Sequence, residues 1–129
     1  MYRVAVKQSF STQHYMTGAD FGAENELHAH EYSVEVCLSG ESLDEFGFLV
    51  NIDHVNTQME RTVDYFRGSV LNDLDQFSGE NPSVERFARI FCDLFLEGFQ
   101  PNRVAAISVQ VWEYENIWAR YSRDLSPAG

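Results

Sequence analysis

Basic residues are scarce in this chain. Nine lysines and arginines stand against 20 aspartates and glutamates, which gives a formal net charge of −11 at pH 7, and no basic cluster is visible. This charge argues against nucleic acid and anionic membranes as partners. Long apolar runs are also absent, as is a basic segment followed by an apolar one, so the sequence predicts neither a membrane span nor a secretory signal. We therefore expect a cytoplasmic protein.

Cysteine is rare as well. The two cysteines, Cys37 and Cys92, have neither metal-ligand spacing nor a disulfide framework around them. We interpret each as a small buried hydrophobe in a reducing compartment. What the chain does have is a 44% share of hydrophobic residues over 129 positions. That length and composition predict a single domain over residues 1–129 with its own core.

The spacing of the apolar residues predicts four strands and two helices. Asn51 or Asp53 is suited to cap the first helix, and Pro82 suits the first turn of the second. The predicted segments are strands at 2–14 and 28–39, a helix from Asn51 or Asp53 to Phe66, a helix at 82–97, and strands from about 105 to 113 and from 117 to 121. This order predicts an α+β sandwich, in which an antiparallel four-stranded sheet carries both helices on one face.

Three of the four histidines fall at the ends of predicted strands. His14 is in phase with the apolar positions of the first strand, and His28 and His30 are in phase with Tyr32 in the second. If the two strands pair as an antiparallel hairpin, the three imidazoles converge at its loop end. Three neutral imidazoles with a fourth position open describe a catalytic zinc site. The alternative is that they are ordinary strand-end residues that share a face by chance.

The fourth histidine and one glutamate need separate interpretations. His54 lies at a predicted helix start without a partner at ligand spacing, which is typical of a surface or capping residue. Glu113 extends the apolar face of the third strand, where a carboxylate is costly unless it is hydrogen-bonded or paired. Either the strand end reaches water there, or the carboxylate anchors a ligand that offers two adjacent N–H donors, such as a guanidine-like group or the edge of a pterin.

A series of motifs along nearly the whole chain resembles the 6-pyruvoyl-tetrahydropterin synthase / 6-carboxy-tetrahydropterin synthase family. The motifs occur in the family's order and at about its spacing. They are Phe10-x-x-x-His14, His28-Ala29-His30-Glu31-Tyr32, Gly47-Phe48-Leu49-Val50-Asn51, Leu71-Asn72-Asp73, Asn81-Pro82-Ser83-Val84-Glu85 and Val111-Trp112-Glu113.

The resemblance implies a fold, an assembly and a set of site residues. The fold is the tunnelling fold, in which the sheets of small subunits join into a β-barrel, commonly in a hexamer of two stacked trimers with active sites between subunits. Zinc is held by histidines that match His14, His28 and His30. A glutamate that matches Glu113 anchors a small-molecule pterin substrate, and the segment that lines the pterin pocket corresponds to Pro82-Ser83-Val84-Glu85, with Ser83 and Glu85 as its substrate-binding residues.

The chain departs from the family pattern at the positions expected to carry the chemistry. Glu24 stands where the family usually has a catalytic cysteine, and Glu26 lies two residues further on. Some family members use a glutamate near this position, and they resemble enzymes that convert dihydroneopterin triphosphate to 6-hydroxymethyl-dihydropterin. The family's Asp-His pair has no histidine counterpart: it aligns with Asp64-Tyr65 if about three residues are inserted, or with Arg67-Gly68 without a gap.

Two classes of function follow from these matches and departures. In the first, the protein is a zinc-dependent lyase on the side chain of a reduced pterin, with Glu24 as the base and Glu26 as the second choice. In the second, it keeps the zinc and pterin sites without the reaction and acts as a pterin-binding or assembly protein. The sequence leaves the product open, and with it a place in queuosine, folate or biopterin synthesis.

Overall fold

Four antiparallel strands form one sheet in the order β1-β2-β3-β4, in a computed structural model that describes residues 1–125. Two helices lie between β2 and β3 along the chain. The elements are β1 (Tyr2–His14), β2 (His28–Gly40), α1 (Ile52–Phe66), α2 (Val84–Leu96), β3 (Ala106–Tyr114) and β4 (Ile117–Asp124). The predicted order of strands and helices is confirmed, and the fourth strand is longer than predicted.

The long hairpin of β1 and β2 sets the geometry at its loop end. Its register pairs Tyr2 with Gly40 at one end and His14 with His28 at the other, and it pairs Thr12 with His30. The two strands therefore bring all three strand-end histidines to one end of the sheet, as the period-two pattern predicts. The loop of residues 15–27, which includes a short 3-10 turn (Gly22–Asn25), closes this end.

Side-chain caps fix where both helices begin. The Asn51 side chain accepts hydrogen bonds from the backbone N–H groups of Asp53 and His54, so of the two predicted caps Asn51 is the one used. Ser83 caps α2 in the same way through the N–H of Arg86. Pro82 therefore lies just before the cap, whereas the sequence predicted it within the first turn of the helix.

Both helices cover the same face of the sheet, as predicted. Helix α1 packs against β1, and α2 packs against β3 and β4. The core between the layers is rich in aromatic rings: Phe87 lies 5.0 Å from Tyr32 and 5.1 Å from Phe66, centroid to centroid. Since Tyr32 is two residues from His30, this aromatic packing extends to the histidine end of the sheet.

Two details differ from the sequence prediction. Cys92 is fully buried, and burial raises the pKa of its thiol to about 11, but Cys37 is only half-buried. The register of β3 shifts between Trp112 and Tyr114, so a bulge at Glu113 interrupts the alternation that the sequence extended to this residue. Neither helix in residues 1–125 is long and apolar enough to cross a membrane.

Candidate metal centre

Two histidines face each other at the loop end of the β1–β2 hairpin. The Nε2 atoms of His14 and His28 lie 2.9 Å apart, and the ring planes are close to perpendicular at 81°. His14 is fully buried, whereas 30% of the His28 side chain is exposed. The two nitrogens therefore point at one common place, which is closed on the His14 side and accessible on the His28 side.

The other ring nitrogen of each histidine is held by a second residue. His28 donates its Nδ1–H to the backbone carbonyl of Glu26 at 2.8 Å, which leaves a lone pair on Nε2. His14 Nδ1 and the Tyr32 hydroxyl share a hydrogen bond of 2.9 Å. Metal-binding histidines are usually oriented in this way through their distal nitrogen. The arrangement thus fixes both rings with Nε2 directed inward.

Burial keeps His14 neutral. Its loss of hydration, together with the nearby rings of His28 and His30 and against the opposing charge of Glu24, lowers the pKa of His14 to about 4. At neutral pH the His14 ring is therefore an uncharged imidazole, and a metal ion can bind it without first removing a proton from an imidazolium. The ring only has to be in the tautomer that leaves a lone pair on Nε2.

Glu24 completes a cluster with these two histidines. Its Oε2 lies 3.3 Å from His28 Nε2, and 46% of its side chain is exposed. One ligand atom from each of His14, Glu24 and His28 falls within 4.8 Å of the others. Two imidazole nitrogens and a carboxylate oxygen are ligands that Zn²⁺ accepts in catalytic sites. The residues therefore fit a zinc ion.

His30 lies beside this cluster but turns its Nε2 away from it. That nitrogen donates its hydrogen to the backbone carbonyl of Glu113 at 2.5 Å, so it has no lone pair free for a metal in this arrangement. The His30 ring centroid is 5.9 Å from that of His14 and 4.9 Å from that of Tyr32. The three predicted ligands therefore lie at one end of the hairpin, but within residues 1–125 the group with ligand atoms close together is His14, His28 and Glu24, without His30.

The bulge in β3 places two further polar side chains at this end. Glu113 is half-buried, and the Tyr114 ring packs edge-on against His30 with centroids 5.0 Å apart. Burial and then the nearby carboxylates of Glu113 and Glu24 raise the pKa of the Tyr32 phenol well above its usual range. The negative charges of Glu113, on β3, and of Glu24, on the loop between β1 and β2, therefore both disfavour ionisation of the same buried hydroxyl.

Other predicted site residues lie apart from the cluster. The exposed Glu26 contributes its backbone carbonyl to His28. Ser83 is used as the cap of α2, and Glu85 is exposed in that helix's first turn. Within residues 1–125 no hydrogen bond joins the side chain of Glu26, Ser83 or Glu85 to the histidines. His54 is exposed at the start of α1, as predicted.

The segment that lacks the expected Asp-His pair is engaged in local contacts. Asp64 forms an exposed ion pair with Arg67 at 2.6 Å. The Tyr65 hydroxyl donates to the Gln76 side chain at 3.0 Å, and the N–H of Gly68 donates to the carbonyl of Ser11 at 2.8 Å. Both alignments of the missing pair thus place it on residues committed to other contacts.

Sequence reasoning missed the hydroxyl of Tyr32 and the amides of Asn72 and Asn81. The period-two pattern accounts for Tyr32 only as a residue in phase with His28 and His30, although a phenol two positions after His30 on the same buried face needs a polar partner. The two asparagines hold the backbone of the loop between β1 and β2. Both asparagines stand in motifs visible in the sequence, Leu71-Asn72-Asp73 and Asn81-Pro82, but their hydrogen-bond partners lie about 60 residues away along the chain.

The chain is similar to known tetrahydropterin synthases. The model of the family described as 6-pyruvoyl tetrahydropterin synthase matches residues 3–124. The 6-carboxy-5,6,7,8-tetrahydropterin synthase of Bacillus subtilis is 30% identical over 87 residues, which cover 64% of this chain and 58% of that protein. The chain thus spans less than two thirds of that curated relative.

Solved structures share the fold. A crystal structure of 6-pyruvoyl tetrahydropterin synthase from Plasmodium vivax superimposes with a TM-score of 0.81 at 15% identity, covering 96% of this chain and 98% of that one. A second structure of the P. vivax protein, described as a catalytic residue mutant with glutamate replaced by alanine, has a TM-score of 0.80 at 14% identity over the same shares of both chains. The four-stranded antiparallel sheet with two helices is therefore the tunnelling fold of those structures.

Proposed function

The chain belongs to the 6-pyruvoyl tetrahydropterin synthase family, and we propose that it is a zinc-dependent lyase acting on the side chain of a reduced pterin such as dihydroneopterin triphosphate. The observation that carries this proposal is the cluster of His14, His28 and Glu24, in which two oriented imidazoles lie beside a carboxylate and the side chains of His28 and Glu24 are partly exposed. A metal-binding pair beside a base is what a proton-moving reaction on a hydroxylated side chain requires.

His14 and His28 are proposed as two of the zinc ligands. Their Nε2 atoms already face each other, and both distal nitrogens are held. The third ligand is proposed to be His30, whose ring must leave the Glu113 carbonyl to reach the metal, and the Glu24 carboxylate then stays free beside it. When bound, zinc lowers the pKa of hydroxyl groups of the substrate, as it does for bound water.

Glu24 is proposed as the base that moves protons between carbons of the side chain. Its carboxylate is at the cluster, whereas Glu26 offers only a backbone carbonyl there, so Glu26 is the second choice. In the P. vivax protein, too, a glutamate is described as a catalytic residue. With glutamate in place of cysteine, the 6-hydroxymethyl-dihydropterin-forming reaction is one candidate, and the pyruvoyl- and carboxy-forming reactions stay open beside it.

Glu113 is proposed to bind the amino-pyrimidine edge of the pterin. A half-buried carboxylate at a bulge next to the histidine cluster is placed to accept two N–H bonds from a flat ligand. Ser83 and Glu85 are proposed, on the resemblance of their motif, as further substrate contacts. The Ser83 hydroxyl would then serve two purposes, as the cap of α2 and as a contact to the ligand.

Assembly into a hexamer, with sheets joined into a barrel, is also proposed. Among residues 1–125 no strand pairs with the outer side of β4, and the outer side of β1 is met only near its end, where Gln13 pairs with Val70. Open edges of this length tend to pair. Large apolar side chains are exposed around the histidine end of the sheet, and a subunit contact there would cover them. They are Phe21, Leu27, Tyr114 and Ile117.

A second candidate function is favoured by one observation. The residues that align with the Asp-His pair are engaged in surface contacts, so a second acid–base group is not supplied by this segment. A protein that binds zinc and a pterin without converting it is consistent with that feature. The two candidates differ in a single outcome, which is whether the pterin changes.

The decisive experiment is incubation of the zinc-loaded protein with dihydroneopterin triphosphate, followed by identification of the products by mass. The lyase proposal predicts that the side chain of dihydroneopterin triphosphate is cleaved or converted. The product should then have the mass of a hydroxymethyl, pyruvoyl or carboxy pterin. Unchanged substrate that is retained by the protein supports the binding function. Unchanged substrate that is not retained contradicts both.

A further inference from the structure

Two asparagine side chains form reciprocal hydrogen-bond pairs with the start of the loop between β1 and β2. Asn72 accepts from the N–H of Tyr15 at 3.0 Å and donates to the Tyr15 carbonyl at 2.8 Å. Asn81 accepts from the N–H of Thr17 at 2.8 Å and donates to the Thr17 carbonyl at 3.0 Å. Each side-chain amide thus satisfies both the N–H and the C=O of one residue, as a paired residue of a neighbouring strand would. The two clamped residues, Tyr15 and Thr17, are two positions apart along the chain.

Each asparagine projects from a well-anchored support. Asn72 belongs to a 3-10 turn (Leu71–Asp73) whose Leu71 is fully buried in the core. The carbonyl of Asn81 accepts from the N–H of Ser83 at 2.9 Å and from Arg86 at 3.1 Å, which ties it to the start of α2. The clamp therefore connects the loop to the helix layer.

The residue between the two clamped positions holds Glu24. Met16 lies between Tyr15 and Thr17, and its N–H donates to the carbonyl of Glu24 at 2.7 Å. Asn25 donates its amide hydrogens to the carbonyls of Met16 at 2.9 Å and of Ala19 at 3.0 Å. The backbone around Glu24 is thus attached to a segment whose own position is set by Asn72 and Asn81.

We infer that Asn72 and Asn81 are positioning residues that hold Glu24 against the histidine cluster. The Glu24 side chain is 46% exposed and lies on a loop, so packing alone does not fix it. Misplacement of a catalytic group by about 1 Å can lower a rate about a hundredfold. This inference rests on the proposed function for its effect on turnover, but the clamp itself is a property of the backbone and is measurable without substrate.

Amide hydrogen exchange of Met16 in the zinc-loaded protein tests the clamp directly. The acceptor of this N–H is the Glu24 carbonyl, which no substitution removes. In Asn72→Ala and Asn81→Ala we expect Met16 to exchange at least about tenfold faster, because the segment that carries it is released. Asn81→Asp keeps the acceptor but cannot donate to Thr17, so it should give a smaller increase and serves if an alanine variant does not fold.

Asn51→Ala is the matched control. It removes the cap of α1 and lowers global stability without touching the loop, so Met16 should exchange there as in the wild type. On dihydroneopterin triphosphate we expect kcat of the Asn81 variants to fall at least about tenfold while KM changes less than about threefold. Met16 exchange at the wild-type rate in the Asn72 and Asn81 variants overturns the inference, as does faster exchange with kcat unchanged. If the wild type converts no pterin, the proposed function fails, and Met16 exchange alone decides the clamp.

Discussion

The helix-covered face of the sheet has two regions that are equally buried but chemically opposite. In the middle of β2, Val34, Val36 and Leu38 have no exposed surface and no side-chain polar atom. At the loop end His14 and Tyr32 are also fully buried, yet they share a hydrogen bond that continues to His28. Burial alone therefore does not distinguish core from site. The difference lies in where the polar atoms point and what they bind.

Each region has a different energetic role. The apolar region stabilises the fold by removing hydrocarbon from water, and truncation of a buried leucine such as Leu38 typically costs about 2–5 kcal/mol. The histidine region loses hydration of polar groups and recovers only part of it in hydrogen bonds, as the lowered pKa of His14 reflects. The proposed zinc site accounts for its arrangement, and substitutions in the two regions should have separable effects.

Removal of a ligand should have the largest effect on the histidine region. The purified protein is expected to hold about one zinc per chain, and His28→Ala should lose at least about a hundredfold in zinc affinity while keeping its fold. Leu38→Ala should do the reverse, with a lower unfolding midpoint in denaturant and unchanged zinc content. Zinc analysis and denaturation of both variants measure this, with His54→Ala as the surface control. Full zinc content in His28→Ala would remove the metal assignment.

Substitution of the proposed base should give the next largest effect. Glu24→Gln keeps the shape but removes the proton acceptor, so we expect kcat on a reduced pterin to fall roughly a hundredfold. Glu26→Gln is the matched control, since its side chain is exposed and its backbone carbonyl is unchanged. The measurement is steady-state turnover at equal zinc loading. Normal turnover in Glu24→Gln together with a loss in Glu26→Gln would reverse the assignment of the two residues.

Recognition of the pterin should depend on Glu113. Glu113→Gln removes the charge that two N–H donors would meet, so pterin binding should weaken by about 1.5–3 kcal/mol. Glu60→Gln, an exposed change of the same charge on α1, should leave the affinity unaltered. Titration calorimetry with a reduced pterin compares the variants. Equal affinities for the wild type and Glu113→Gln would show that the pterin binds elsewhere.

The smallest predicted change is at the hydroxyl that links core and site. Tyr32→Phe keeps the ring stacked on Phe87 but removes the hydrogen bond to His14. Loss of such an outer partner typically lowers metal affinity about 10-fold to 100-fold, and we expect the lower end because burial still holds the ring of His14. A chelator competition assay measures it. An affinity equal to that of the wild type would mean that packing alone orients His14.

Sequence patterns predicted the parts of the molecule that follow regular periods. The hairpin that pairs His14 with His28 follows from two-residue alternation, and the aromatic stripe of α2 follows from helical spacing. The caps were predicted in kind, although Asn51 and Asp53 could not be told apart, because both residue types accept the same backbone hydrogen bonds.

The remaining features depend on tertiary contacts that no local period encodes. The bulge at Glu113 breaks the alternation in β3, and the carbonyl exposed there takes the Nε2–H of His30. The approach of Glu24 to His28 depends on the loop between β1 and β2, whose course is set by Asn72 and Asn81 from distant parts of the chain. The ligand pair of His14 and His28 was therefore predictable, whereas the position of the third candidate ligand was not.

Anomalous diffraction at the zinc edge from crystals of the zinc-loaded protein tests the central claim most directly. The account predicts one peak per chain at about 2.0–2.1 Å from the Nε2 atoms of both His14 and His28. The same map tests the third ligand: His30 should have left the Glu113 carbonyl and joined the zinc, while the Glu24 carboxylate stays uncoordinated. A zinc-loaded crystal with no peak between His14 and His28, or with its peak at another site, would contradict the account.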